Sequence, residues 1–262
     1  MKKLIKNLLT IFLDIFGYGF ITYKKNNFSN FELIDRNIWE PFFEKNKKVK
    51  LYFESLKASR NSSDTNLYRE LRFYNLQNCL EHINKYDVQG DYVECGVWKG
   101  QSAYIISSHL KKRKNNSLLH LFDSFDGGLS DKTEKDKNLG ENLTSERILE
   151  EKLAFSSTKA ELEENLSKFD FLKIYEGWIP DRFHEVKDKS FCFIHIDVDL
   201  YEPTLESLNF FYSRLNQKGI IVCDDYNFCQ FPGAKKAFDE FFSKNNPSFF
   251  YEVPLGGALV IK

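Results

Sequence analysis

Five apolar runs, at residues 91–95, 118–123, 171–175, 191–197 and 219–223, lie too far apart to be joined as hairpins. Segments with helical spacing, at 101–113, 145–167, 203–216 and 234–244, fall between and after them. A strand that returns parallel to its neighbour needs a crossover of at least a dozen residues, and that crossover is almost always right-handed. The alternation therefore predicts an α/β domain, a parallel sheet with helices on both faces. The C-terminus breaks the pattern. Residues 249–253 and 258–261 flank Pro254-Leu255-Gly256-Gly257, a link suited to a tight turn, so an antiparallel β-hairpin should close the sheet. The result is a seven-stranded, mostly parallel sheet.

With 262 residues and 42% apolar content, the chain can bury a sizeable core and is not a disordered one. Its 37 basic and 38 acidic residues leave no positive footprint for nucleic acid, although basic residues outnumber acidic ones within residues 1–60. The cysteines are Cys79, Cys95, Cys192, Cys223 and Cys229; no two have C-x-x-C spacing. Buried thiols in a reducing, cytoplasmic compartment fit them better than a zinc site.

Residues 1–25 begin with Lys2, Lys3 and an apolar stretch, but Lys3, Asn7, Thr10 and Asp14 recur at helical spacing as a polar stripe. No small-residue cleavage site follows, and a membrane-spanning helix would need about 20 largely apolar residues. The expectation is an amphipathic helix. Its apolar face would dock on the domain, on a second subunit of a homo-oligomer, or on the anionic inner face of a membrane with help from Lys2, Lys3, Lys6, Lys24 and Lys25. Residues 26–66 read as a cap or linker, with a helix from about 63 to 85 leading into a main domain over 67–262.

In an open parallel sheet, ligands bind beyond the C-terminal ends of the strands. The first such end carries Glu94-Cys95-Gly96, with Gly100 four residues on and Ser102 at a helix start. Glycine lets backbone approach a ligand, and the helix N-terminus offers free N–H groups. This is not G-x-G-x-x-G, and Glu94 would repel a pyrophosphate, so S-adenosylmethionine fits better than a dinucleotide. Asp123 ends the next strand, followed by Ser124; an acid there can accept from ribose hydroxyls or cap a turn. Asp197 and Asp199 end the fourth run, Asp224 and Asp225 the fifth. Carboxylates facing each other across adjacent strand ends call for a cation, and oxygen ligands favour Mg2+ or Mn2+ over zinc. Asp197, Asp224 and Asp225 form the best trio, with Asp199 free to cap the following helix. His195, one strand position from Asp197, and His184, in a loop, are candidate proton acceptors. The segment 127–150 reads either as a solvated loop or as a lid.

In these motifs the chain resembles the macrocin O-methyltransferase (TylF) family. The resemblance runs through residues 90–100, Asp123-Ser124-Phe125-Asp126-Gly127, Glu176-Gly177-Trp178, Asp197-Val198-Asp199-Leu200-Tyr201-Glu202-Pro203-Thr204, Asp224-Asp225-Tyr226 and Pro232-Gly233-Ala234. It implies a class I Rossmann-like fold, S-adenosylmethionine as methyl donor, Mg2+ on Asp197, Asp224 and Asp225, and a sugar hydroxyl as acceptor. Asp126 departs from the family, which often has Glu there, and the N-terminal segment is not shared. The donor site would then comprise Glu94, Cys95, Gly96, Gly100, Ser102, Asp123 and Ser124. Asp197 or His195 would be the catalytic base. The acceptor, a surface-glycan precursor or a glycosylated natural product, stays open. A competing reading takes Asp197-Val198-Asp199 as the D-x-D of a metal-dependent glycosyltransferase.

Overall fold

The structure is a computed structural model that describes all residues except 1–8, 10–11, 14, 17, 26–27, 37, 44, 61–66, 114, 139–143 and 255–256; for the rest of 19–34 it describes the backbone alone. The chain opens with an antiparallel hairpin of β1 (Tyr18–Lys25) and β2 (Phe28–Asp35). Residues 18–25 are thus a strand and not the end of an amphipathic helix. Tyr18, Phe20, Ile21, Thr22 and Tyr23 favour extended backbone, Gly19 disfavours a helix, and residues 28–35 supply a partner of similar character. Most of the expected helix before this hairpin lies outside the described residues; of those described there, Leu9, Phe12, Ile15 and Phe16 are exposed. The expected linker contains β2 and also a helix, α1 (Lys47–Ala58), which Asn46 caps by accepting from the Lys48 N–H.

Helix α2 (Leu67–Lys85) leads into the main sheet. Its elements are β3 (Asp91–Cys95), α3 (Gln101–Arg113), β4 (Leu119–Asp123), α4 (Ser145–Ala154), α5 (Lys159–Asn165), β5 (Leu172–Glu176), β6 (Phe191–Ile196), α6 (Tyr201–Phe211), β7 (Leu215–Cys223), α7 (Pro232–Phe242), β8 (Phe249–Glu252) and β9 (Ala258–Ile261). The seven strands lie in the order β5-β4-β3-β6-β7-β9-β8, with β3 to β7 parallel and β9 antiparallel to both neighbours. The single helix expected over 145–167 is two, because Thr158 starts a new one with a capping box that includes Glu161.

Strand alternation divides the core. Tyr92, Leu121 and Phe193 pack against Leu80 and Ile83 of α2 and Ala103 and Ile106 of α3. On the other face Val93, Ile194 and Ile221 pack against Leu208 and Phe211 of α6 and Ala234 and Phe238 of α7. Strand order reverses between β3 and β6, and a crevice must open at their C-terminal ends. Among the described residues no helix is long and apolar enough to cross a membrane.

Candidate active site

The ends of β3 and β6 nearly touch. The Gly96 backbone (φ +80°) passes so close to Asp197 that a Cβ would lie 2.7 Å from the Asp197 carbonyl carbon and closer still to its oxygen. Only glycine fits such an approach with that backbone angle. The turn that follows is organised by Asp123 at the end of β4. Its Oδ2 accepts the Val97 N–H (2.6 Å) and the Trp98 N–H (2.8 Å), and its Oδ1 accepts the Phe125 N–H (2.6 Å). Beside this turn lies a cavity of about 1020 Å³, bordered by Gly96, Asp123 and Ser124 on one side and by the aspartates of β6 and β7 on the other.

His195 and Glu94 are register partners on neighbouring strands, so their side chains share one sheet face. The His195 Nδ1 is 2.8 Å from the Glu94 Oε1. Glu94 is fully buried, and burial pushes its carboxyl above the usual range against the opposing pull of His195 and Ser102. With Nδ1 engaged, the His195 Nε2 faces the Asp224 Oδ1 at 3.9 Å. One donor atom from each of His195, Asp197 and Asp224 lies within 4.8 Å of the other two. Asp225 stands outside this group, its Oδ2 accepting the Asp199 N–H at 3.1 Å. Both these carboxyls are buried and raised: Asp199 by burial and then by Asp197, Asp225 by burial and then by Asp199 and Asp197. Arg72 of α2 reaches across to pair with Asp224 and lies 3.9 Å from the Asp225 Oδ1.

Several expected site residues sit elsewhere. Glu94, Cys95, Gly100 and Ser102 do not border the cavity. Glu94 backs His195. Cys95 is core, its thiol pushed up to about 12 by burial. Gly100 (φ +82°) makes room for Leu162 of α5, and Ser102 is buried in the first turn of α3. In the metal-ligating group, His195 takes the place expected for Asp225. His184 is an exposed loop residue away from the cavity, its Nδ1 2.8 Å from the Asp181 carbonyl oxygen. Residues 128–130 border the cavity, but the segment beyond them is anchored. Buried Asp136 accepts the Tyr201 N–H (2.6 Å) at the start of α6, and Lys132 pairs with Glu151 (2.6 Å). Arg72 carried no signal in the sequence, being one of several arginines in an amphipathic stretch. Glu94 did carry one, since it and His195 are the polar residues of two otherwise apolar strands.

The sheet order and the cleft at its switch point define the Rossmann-like methyltransferase fold. It is shared with the O-methyltransferase NovP (TM-score 0.59, 21% identity, 84% of this chain and 90% of that one) and with the calicheamicin methyltransferase CalS11 (TM-score 0.59, 21% identity, 81% and 91%). Residues 60–248 match the family described as Macrocin-O-methyltransferase (TylF), and the chain belongs to that family. It is similar to the demethyldecarbamoylnovobiocin O-methyltransferase of Streptomyces niveus, 29% identical over 178 residues and covering 66% of each chain. It also resembles the mycinamicin III 3''-O-methyltransferase of Micromonospora griseorubida, 26% identical over 175 residues, 65% of this chain and 67% of that one. The match thus spans about two thirds of the length of these curated relatives.

Proposed function

We propose that this protein transfers a methyl group from S-adenosylmethionine to a sugar hydroxyl of a glycosylated natural product or surface-glycan precursor, with Mg2+ bound beside the acceptor. The reading rests on one juxtaposition: His195, Asp197 and Asp224 converge beside the Gly96–Trp98 turn in a single cavity. At about 1020 Å³ that cavity is at the upper end for one small ligand and has room for donor and acceptor together. The relatives' names, which concern glycosylated natural products, support the same acceptor class.

Two carboxylates and an imidazole at this spacing are a donor set that a divalent cation fits, and the like charges of Asp197 and Asp224 favour one. Such an ion, when bound, lowers the pKa of a nearby hydroxyl. The methyl donor, when bound, supplies an electrophilic methyl on a cationic sulfur. The chain does the rest. Each Asp123 oxygen keeps a lone pair beyond its backbone bonds, available to ribose hydroxyls. Asp197 borders the cavity and its carboxylate has no hydrogen-bond partner among the described residues, so it can take the acceptor's proton. An ionised Glu94 accepts from the His195 Nδ1–H, which fixes the ring and leaves the Nε2 lone pair directed at the same space. Arg72 holds Asp224 in place.

The D-x-D reading finds less support, because Asp199 is turned to Asp225 and lies outside the ligand group. The test is Asp224→Ala, expected to abolish methyl transfer while calorimetry shows S-adenosylmethionine still bound. Chelator should do the same and Mg2+ should reverse it; full turnover in chelator would remove the metal from the scheme.

A further inference from the structure

Charge is neutralised unevenly across the cleft. At the strand ends, Asp224 is met by Arg72, and Asp197 with Asp224 by the cation proposed above. On α6, Glu202 and Glu206 border the cavity as exposed residues four apart, and neither has an ion-pair partner among the described residues. Like charges at that spacing slightly destabilise a helix. The basic side chains of the cleft and its surrounding loop are engaged already. Arg72 is on Asp224, Arg69 donates to Gln101 (3.1 Å), Lys132 pairs with Glu151 (2.6 Å) and Lys135 with Glu240 (3.2 Å). Aromatic rings form much of the remaining wall; Trp178 and Phe228 are both 42% exposed. Ring faces and carboxylates suit the apolar face of a sugar and attract neutral or cationic groups. Phosphate is met by arginine, lysine or clustered N–H donors, and unpaired carboxylates repel it.

From this juxtaposition we infer that the acceptor is a phosphate-free glycoside, neutral or cationic, and not a nucleoside-diphosphate sugar. The inference rests on the methyl-transfer reading above. It places the reaction after a glycosyl transfer, which breaks the bond between the anomeric carbon and the phosphate oxygen and releases the nucleoside diphosphate. Here the S–CH3 bond then breaks, an O–CH3 bond forms, the hydroxyl proton passes to Asp197 and S-adenosylhomocysteine leaves.

Two measurements on the full-length protein with S-adenosylmethionine and excess Mg2+ test it. Uridine and thymidine diphosphates titrated by calorimetry should show no binding tighter than about 1 mM; a micromolar Kd would overturn the inference. A panel of sugars is then supplied in pairs, each as its para-nitrophenyl glycoside and as its nucleoside diphosphate. The glycoside should have at least about ten-fold higher kcat/KM, and Glu202→Lys with Glu206→Lys should narrow that gap. An unchanged gap in this double variant, or a pair whose nucleotide form is the better substrate, would overturn the inference and leave methyl transfer intact. Methylation of neither member of any pair, with donor binding intact, would overturn the methyl-transfer reading and the inference together.

Discussion

Gly96 and Gly100 share one backbone conformation but should respond very differently to alanine. Both have φ near +80°, where a Cβ costs about 1–2 kcal/mol. At Gly96 the new Cβ also meets the Asp197 carbonyl carbon at 2.7 Å. Carbon atoms rest at ~3.5 Å, so the end of β6 must shift by about 0.8 Å. Overpacking of this kind adds about 1–3 kcal/mol, for a total of about 2–5 kcal/mol. At Gly100 the clash is with the Leu162 Cδ1 at 2.5 Å, the tip of a side chain that can rotate away. That loss should stay near the backbone contribution alone. The consequence for the site differs more. A displacement approaching 1 Å at a reacting group lowers turnover by ~100-fold, and Asp197 moves only in Gly96→Ala. Urea denaturation measures the stability gap, while Mn2+ titration and methyl transfer measure the site. Equal losses in the two variants, in stability and in metal affinity, would refute the claim that the close strand crossing places Asp197.

Further outcomes follow from the same geometry. Glu94→Gln keeps the shape but removes the charge behind His195, so Mn2+ affinity should fall about 10–100-fold with little loss of stability; unchanged affinity would show that Glu94 does not tune the ring. Asp123→Asn leaves one oxygen for three backbone N–H donors. It should cost about 1–3 kcal/mol and weaken S-adenosylmethionine binding measurably by calorimetry, whereas unaltered donor affinity would separate Asp123 from the donor. His109, buried in α3, has its pKa lowered to about 4 by burial and then by Lys112. The unfolded chain takes up that proton first as pH falls, so this contribution is present above about pH 6.5 and is lost towards pH 4. It amounts to roughly 3 kcal/mol at most. Denaturation at pH 7.5 and 4.5 should therefore show a smaller acid loss in His109→Gln than in the wild type; equal losses would exclude His109 as the cause.

The sequence by itself determined the elements and their class. Helical and strand spacings act over a few residues, and runs such as Phe191–Ile196 are apolar enough to be buried on both faces wherever they pack. Strand length, the parallel arrangement and the terminal hairpin follow from such local rules and from link length. Gly96 and Asp123 were legible for the same reason, since a turn at a strand end is a local event. The N-terminal segment was misread because residues 18–25 suit an amphipathic helix or a strand, and the choice fell to their partner, residues 28–35. What only the tertiary structure decided is which side chains meet. Glu94 and His195 are 101 residues apart and pair because β3 and β6 are neighbours in register. Arg72 and Asp224 are 152 residues apart and meet because α2 packs against that end of the sheet. Asp225, adjacent in sequence to Asp224, turns the other way to bind the Asp199 N–H, which leaves His195 as the third member of the group. Successive residues beyond a strand point in different directions, so a run of acids states the composition of a site but not its membership.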